Sequence, residues 1–448
     1  MTEITLLLAI GSGIILLLFL ILKLKIQAFL ALLISAIWVG LVAGMSPTNI
    51  INSISSGMGS TLGFVATVVG LGALFGAILE SSGGSQVISN YLLKKFDEHN
   101  APWAMVLAGF VIAIPVFFDV AFIILVPVIY ALQKSTGKSL LLYGLPLLAG
   151  LAITHSFIPP TPGPVAVAEI IEANLGMVIL AGFLAGIPCA IFGGPVFARW
   201  ISKRIHVEVP TYIEINEEAN KFPPLSTVFI IIFFPILLIL TNTFLSSPLF
   251  SGVEVPTSLT STLDLVGHPF GALILANLLA WYFLGIRQGF TRDELLKISG
   301  KSLAPAGIII LLTGAGGAFK QVLIDTGIGN MIASSIGSST SSILLFAFAI
   351  SGAVRILQGS ATVAMITSAG VVAPLLAATS GSFFNALAVI AIASGATLMS
   401  HVNDSGFWLV NRYFGLTEKE TLKSWTVMTS IIALTGLLST LLLQFLFT

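Results

Sequence analysis

The chain has 448 residues, 56% of them hydrophobic and 8% charged, with a formal net charge of zero and a mean hydropathy of +1.05. A soluble globular protein carries about a quarter charged residues, so the composition excludes one, and the neutral balance offers no basic surface for nucleic acid. The single cysteine, Cys189, excludes disulfides within the chain and thiolate metal clusters.

Apolar runs of spanning length predict transmembrane helices rather than the alternating ten-residue segments of a barrel. In chain order they are 4–22, 26–44, 61–79, 103–132, 140–171, 177–200, 225–245, 265–284, 303–324, 342–376, 383–408 and 425–447. The first run follows Glu3 rather than a positive segment and has no small-residue cleavage site, so it reads as a retained helix. Four runs are interrupted by polar residues or prolines: at 118–119, 155–164, 358–360 and 400–406. Lipid does not tolerate such breaks, because an Asp at mid-membrane costs roughly 2.5–3.5 kcal/mol and unpaired backbone groups cost more. Each break therefore lines a protein-enclosed, wettable cavity.

Lysines and arginines act as a ruler for orientation. With Lys23 and Lys25 on the cytoplasmic side, alternate threading also puts there the basic residues of 94–95, 134–138, 199–221, 287–301 and 412–423. The opposite loops, 45–60, 246–264, 325–341 and 379–382, contain no Lys or Arg. Of the basic residues only Lys320 and Arg355 then remain, and both sit inside apolar runs. This agreement requires the runs at 103–132 and 342–376 to be re-entrant hairpins that enter and leave on one side. Threaded as full crossings, they leave the charge bias as noise. The ruler places both termini outside the cytoplasm.

The longest polar segment, 201–224, reads as a cytoplasmic linker between a first repeat, 1–200, and a second, 225–448. Gly72, Phe75, Leu79, Gly83 and Ile88 recur as Gly316, Phe319, Leu323, Gly327 and Ile332, each 244 residues on. The order of elements also recurs, with an odd number of crossings between the two halves. The expected fold is an all-α polytopic membrane protein of two inverted-topology repeats, each with a re-entrant helical hairpin and a broken transmembrane helix.

The first break puts Pro115 and Asp119 between apolar arms. Asp119 reads as a proton carrier near a helix N-terminus, or as an N-cap of the arm that follows. The second carries four prolines in six positions, 159–164, and presents His155, Ser156 and Thr161 to the cavity on extended backbone. The third offers Gln358, Gly359, Ser360 and Thr362 to an anion or polyol. Beside it lies Arg355, which pairs Asp119, Asp404 or a substrate carboxylate, or snorkels to the interface. The fourth contributes His401, Asn403, Asp404 and Ser405, which suit hydrogen bonding to hydroxyls. His401 and Asp404, at i and i+3, resemble a metal-ligand pair, but such a site needs a third or fourth ligand and His155 is the one obvious candidate, so no metal is expected. No His-Glu-x-x-His and no nucleophile beside an obvious base occurs, so no enzyme and no cofactor is expected.

These segments, Phe-Phe-Asp-Val-Ala-Phe at 117–122, Thr-His-Ser-Phe-Ile-Pro-Pro-Thr-Pro-Gly-Pro at 154–164, Gln-Gly-Ser-Ala-Thr-Val-Ala at 358–364 and Ser-His-Val-Asn-Asp-Ser-Gly-Phe-Trp at 400–408, resemble the gluconate permease (gluconate:proton symporter) family. The resemblance covers nearly the whole chain. It implies proton-coupled uptake of gluconate or a related sugar acid, or of D-serine, across a bacterial cytoplasmic (inner) membrane. On this reading the hairpin tips and helix breaks, Gly163 among their residues, meet around one substrate, and Asp119 or His155 carries the proton. More distantly the chain is similar to the ion transporter superfamily, whose dicarboxylate carriers are dimers with an elevator-like motion, which implies a homodimer in the lipid bilayer. The Ser-Asn-Thr tips of the sodium-coupled members are absent, which favours proton over sodium coupling. A passive organic-anion channel is the competing reading.

Overall fold

A computed structural model describes residues 3–95, 99–210, 222–245, 257–327, 340–376 and 381–447. The elements there are helices: α1 (Glu3–Leu22), α2 (Ala28–Val42), α3 (Pro47–Ser81), α4 (Gly84–Lys95), α5 (Ala101–Ile112), α6 (Phe118–Thr136), α7 (Leu141–Phe157) and α8 (Pro162–Ile170). They continue with α9 (Leu175–Ile201), which holds a π turn at Phe192–Val196, α10 (Leu225–Leu245) and α11 (Thr257–Val266). Then follow α12 (Pro269–Gln288), α13 (Arg292–Asp325), α14 (Thr340–Gln358), α15 (Ala361–Leu376), α16 (Ser382–Thr397) and α17 (Ser405–Phe414). The last is α18 (Glu418–Phe447). Among the described residues, nine helices are long and apolar enough to cross a membrane.

Several boundaries differ from the sequence expectation. Residues 47–60, expected in a loop, form the first turns of α3, because Ser46 caps the helix and Pro47 sits at its start, where no amide donor is needed. That extension packs on α13, which likewise begins eleven residues before the apolar run, behind a Thr291/Glu294 capping box. The helix α4 was not expected at all. Of the basic-poor loops, 246–256, 328–339 and 379–380 lie outside the described residues. So do 211–221 of the linker, with Lys221, and Ile332 of the repeat.

The longest packing seam joins α3 to α13. Ser53 donates to Asp325 at 2.5 Å, Gly57 lies against Gln321 and Ala318, Thr61 against Gly317, and Leu62 against Gly314. The two helices therefore run antiparallel, brought close by small residues. Lys320, one of the two basic residues left over by the charge ruler, leaves this seam to pair with Glu172 at 2.7 Å.

Two further pairings repeat each other. α5 runs parallel to α7, with Gly150 so close that a Cβ there would lie 2.2 Å from the Val106 carbonyl oxygen, and Thr154 donates to the Phe110 carbonyl at 2.8 Å. α14 runs parallel to α16, where a Cβ on Gly395 would lie 2.4 Å from the Phe348 carbonyl, and Ser351 donates to the Ile392 carbonyl at 2.7 Å. The arm α5, of 12 residues, is about 18 Å long and too short for a core of about 30 Å. It turns back at 113–117 into α6, as α14 turns at 359–360 into α15. α7 breaks at 158–161 before α8, and α16 breaks at 398–404 before α17.

Candidate functional site

Each break is set by local chemistry. At the first hairpin tip Phe117 precedes α6 without a side-chain cap, and Asp119 sits inside the first turn. Asp119 is therefore not the N-cap; it faces the cavity from a turn whose free amides favour an anion. At the second tip Gly359 has φ +90°, and a Cβ there would lie 2.2 Å from the Asn403 carbonyl oxygen. Glycine is required on both grounds. Gln358 accepts from the Ser360 amide at 2.9 Å, and Ser360 accepts from the Val363 amide at 3.3 Å, closing the start of α15.

The proline-rich break is shorter than expected. His155 and Ser156 belong to the last turn of α7, and only 158–161 is non-helical. Pro162 and Pro164 occupy the first turn of α8, where missing amides cost nothing. At the fourth break Asp404 caps α17 by accepting from the Gly406 amide at 3.1 Å, so Ser405 and Gly406 are helical rather than looped.

Both hairpin tips and both broken helices line one cavity of about 470 Å³, within the ~300–1,000 Å³ typical of small-molecule sites. It collects Phe117, Phe118 and Asp119 from the first tip and His155 and Ser156 from α7. Arg355 and residues 358–362 come from the second tip, and Thr397 and residues 403–406 from the fourth break. Three helix N-termini, of α6, α15 and α17, thus border one space.

Arg355, 5% exposed, settles among its expected partners on Asp404. Its Nη2 donates to Asp404 Oδ2 and its Nη1 to the Gly359 carbonyl. Ser400 Oγ donates to the same carboxylate oxygen and accepts from Trp425 Nε1 at 2.6 Å, while Thr426 donates to the Ser400 carbonyl. Trp425 in turn packs, with tilted rings 5.7 Å apart, on Phe118 of the first tip. On the other wall, among the described residues, Asp119 makes no hydrogen bond or ion pair, and His155 Nδ1 is buried without a partner.

Of the predicted site residues, His155, Ser156, Gln358, Gly359, Ser360, Thr362, Asn403, Asp404 and Ser405, with Asp119 and Arg355, line the cavity. Thr161, Gly163 and His401 do not. Thr161 donates to the Ile158 carbonyl at 2.6 Å, Gly163 packs on Met365, and His401 Nε2 meets the Ile356 carbonyl at 2.8 Å. Asn403 Nδ2 binds that same carbonyl at 2.9 Å. The sequence reading missed Ile309, Thr397, Trp425 and Thr429, all cavity-lining residues on helices. Thr397, three residues before Ser400, was the one within reach of the break pattern.

Fold and cavity together define a class: a multi-pass membrane transporter whose interrupted helices border one polar space. The chain belongs to the GntP permease family, since the family description "GntP family permease" matches residues 4–446. The low-affinity gluconate transporter of Escherichia coli (strain K12) is 40% identical over 441 residues, 97% of each chain. The Gnt-II system L-idonate transporter of the same organism is 38% identical over 444 residues, 97% of this chain and 98% of its own. Among solved structures, the Alcanivorax borkumensis YdaH transporter, described as having an unusual topology, has a TM-score of 0.62. It covers 89% of this chain and 88% of its own at 13% identity, a likeness of fold alone.

Proposed function

We propose that this protein takes up gluconate or a related sugar acid with protons across a bacterial cytoplasmic membrane. The observation that carries the reading is the charge inventory of the cavity. Two carboxylates, Asp119 and Asp404, face one guanidinium, Arg355, so a monoanion entering a poorly solvated space needs a proton to enter with it. Free amides at three helix N-termini suit the substrate carboxylate. Ser156, Thr397, Asn403, Ser405 and Thr429 suit its hydroxyls. Asp119, with His155 on the same wall, carries the proton. The names of the relatives, gluconate and L-idonate transporters, support this substrate class.

The antiparallel course of α3 and α13 and the repeated Gly-mediated pairs support two inverted repeats, 1–200 and 225–448, joined by a linker at 201–224. The hairpins and broken helices then move as a unit past α3 and α13 in an elevator-like step, in a homodimer with both termini outside the cytoplasm. Purified protein in liposomes, offered gluconate, L-idonate, D-serine and dicarboxylates under imposed gradients, tests the reading. Accumulation of a sugar acid driven by a proton gradient is expected. Uptake that only equilibrates would make the protein a channel, and accumulation driven by sodium alone would contradict proton coupling.

A further inference from the structure

Among the described residues lining the cavity, Arg355 is the one Lys or Arg, and its charge is already taken. Nη2 holds Asp404 and Nη1 holds the Gly359 carbonyl, while Nε, on the same edge as Nη2, donates to nothing. A substrate carboxylate that seeks a cation here meets a guanidinium occupied by a carboxylate of the protein. We propose that Asp404 is an internal stand-in for the substrate's carboxylate: substrate displaces it from Arg355, and Asp404 takes up a proton as it leaves the pair. The inference rests on the sugar-acid reading of the cavity and adds a third proton-binding residue beside Asp119 and His155.

The surroundings of Asp404 accommodate both of its forms. As an anion it accepts from Arg355, Ser400 and the Gly406 amide. As a neutral acid its Oδ2 can keep the Ser400 donor while its own proton turns to the cavity in place of Arg355, Ser400 Oγ still accepts from Trp425 Nε1, and Oδ1 keeps the Gly406 amide, so no buried donor is stranded. The vacated Nε–Nη2 edge offers a substrate carboxylate two parallel donors, one more than Asp404 uses. The titratable groups around the carboxylate are Asp119 on α6, His155 on α7, Arg355 on α14 and His401 on its own break. The neighbours from α18, Trp425, Thr426 and Thr429, do not titrate. One proton therefore enters from the side the site faces, rests on Asp404 Oδ2 while substrate holds Arg355, and leaves when the ion pair re-forms.

Calorimetry of gluconate binding to the full chain in nanodiscs, in two buffers of different ionisation enthalpy, tests this, with thermal unfolding alongside. At pH 8, Asp404→Asn is expected to bind gluconate at least tenfold more tightly than the native chain and to take up one proton fewer. Its melting temperature should fall without substrate, as Arg355 loses its counter-ion, and should rise on adding gluconate by more than the native chain's does. Binding with an unchanged proton count, or a folded variant with weaker binding at every pH, overturns the exchange while leaving the sugar-acid site intact. A native chain that binds no sugar acid overturns both. Should Asp404→Asn not fold, Ser400→Ala, which removes a donor to the anionic carboxylate, is expected to tighten binding at pH 8, and an unshifted affinity contradicts the proposal.

Discussion

The two walls of the cavity are built differently. On the side of α14, α15, α17 and α18 the charged groups are tied down: Arg355 grips Asp404 and the Gly359 carbonyl, Ser400 binds the same carboxylate, and Trp425 binds Ser400. On the side of α6 and α7, Asp119 stands exposed to the cavity without a partner among the described residues, and His155 Nδ1 is buried without one. A satisfied network fixes shape, whereas an unpartnered titratable group can change charge without breaking a bond. Without substrate the wall of α14, α15, α17 and α18 is therefore the frame, and the wall of α6 and α7 can exchange protons without breaking a bond.

Substitutions can break or sharpen that contrast. Arg355→Ala strands a carboxylate that is 8% exposed and releases the second hairpin tip, so a loss of about 3–5 kcal/mol is expected, read by unfolding in detergent. A loss below about 1 kcal/mol would erase the distinction between the walls. Trp425→Phe keeps the ring contact with Phe118 but removes the bond to Ser400, and should cost about 1 kcal/mol in the same assay. Asp119→Asn, isosteric and with no bond to lose, should stay within about 0.5 kcal/mol of the native chain. A large destabilisation there would mean that the wall of α6 and α7 is also structural.

The breaks were legible in the sequence because prolines, glycines and polar residues have no place in lipid-facing helices. Asp119, Arg355 and Asp404 stood out for the same reason. Their grouping was not legible: Arg355 had three candidate partners, and only the packing of α14 along α16 selects Asp404. Polar residues 47–60 looked like a loop because the seam that makes them helical lies on α13, more than 200 residues away in sequence. The four prolines at 159–164 were read as abolishing helix, yet two of them open one, since proline is excluded from helix interiors and not from first turns. Trp425 and Thr429 gave no signal, being ordinary members of an apolar helix whose position beside Ser400 is purely tertiary.

The central claim is that transport is coupled through a proton on the unpartnered wall. Radiolabelled gluconate uptake by native and Asp119→Asn proteoliposomes, measured under an imposed inside-alkaline pH gradient and again as equilibrium exchange, tests it most directly. The account predicts that the variant loses accumulation, by at least tenfold, while exchange persists. Accumulation by Asp119→Asn equal to that of the native chain would contradict it.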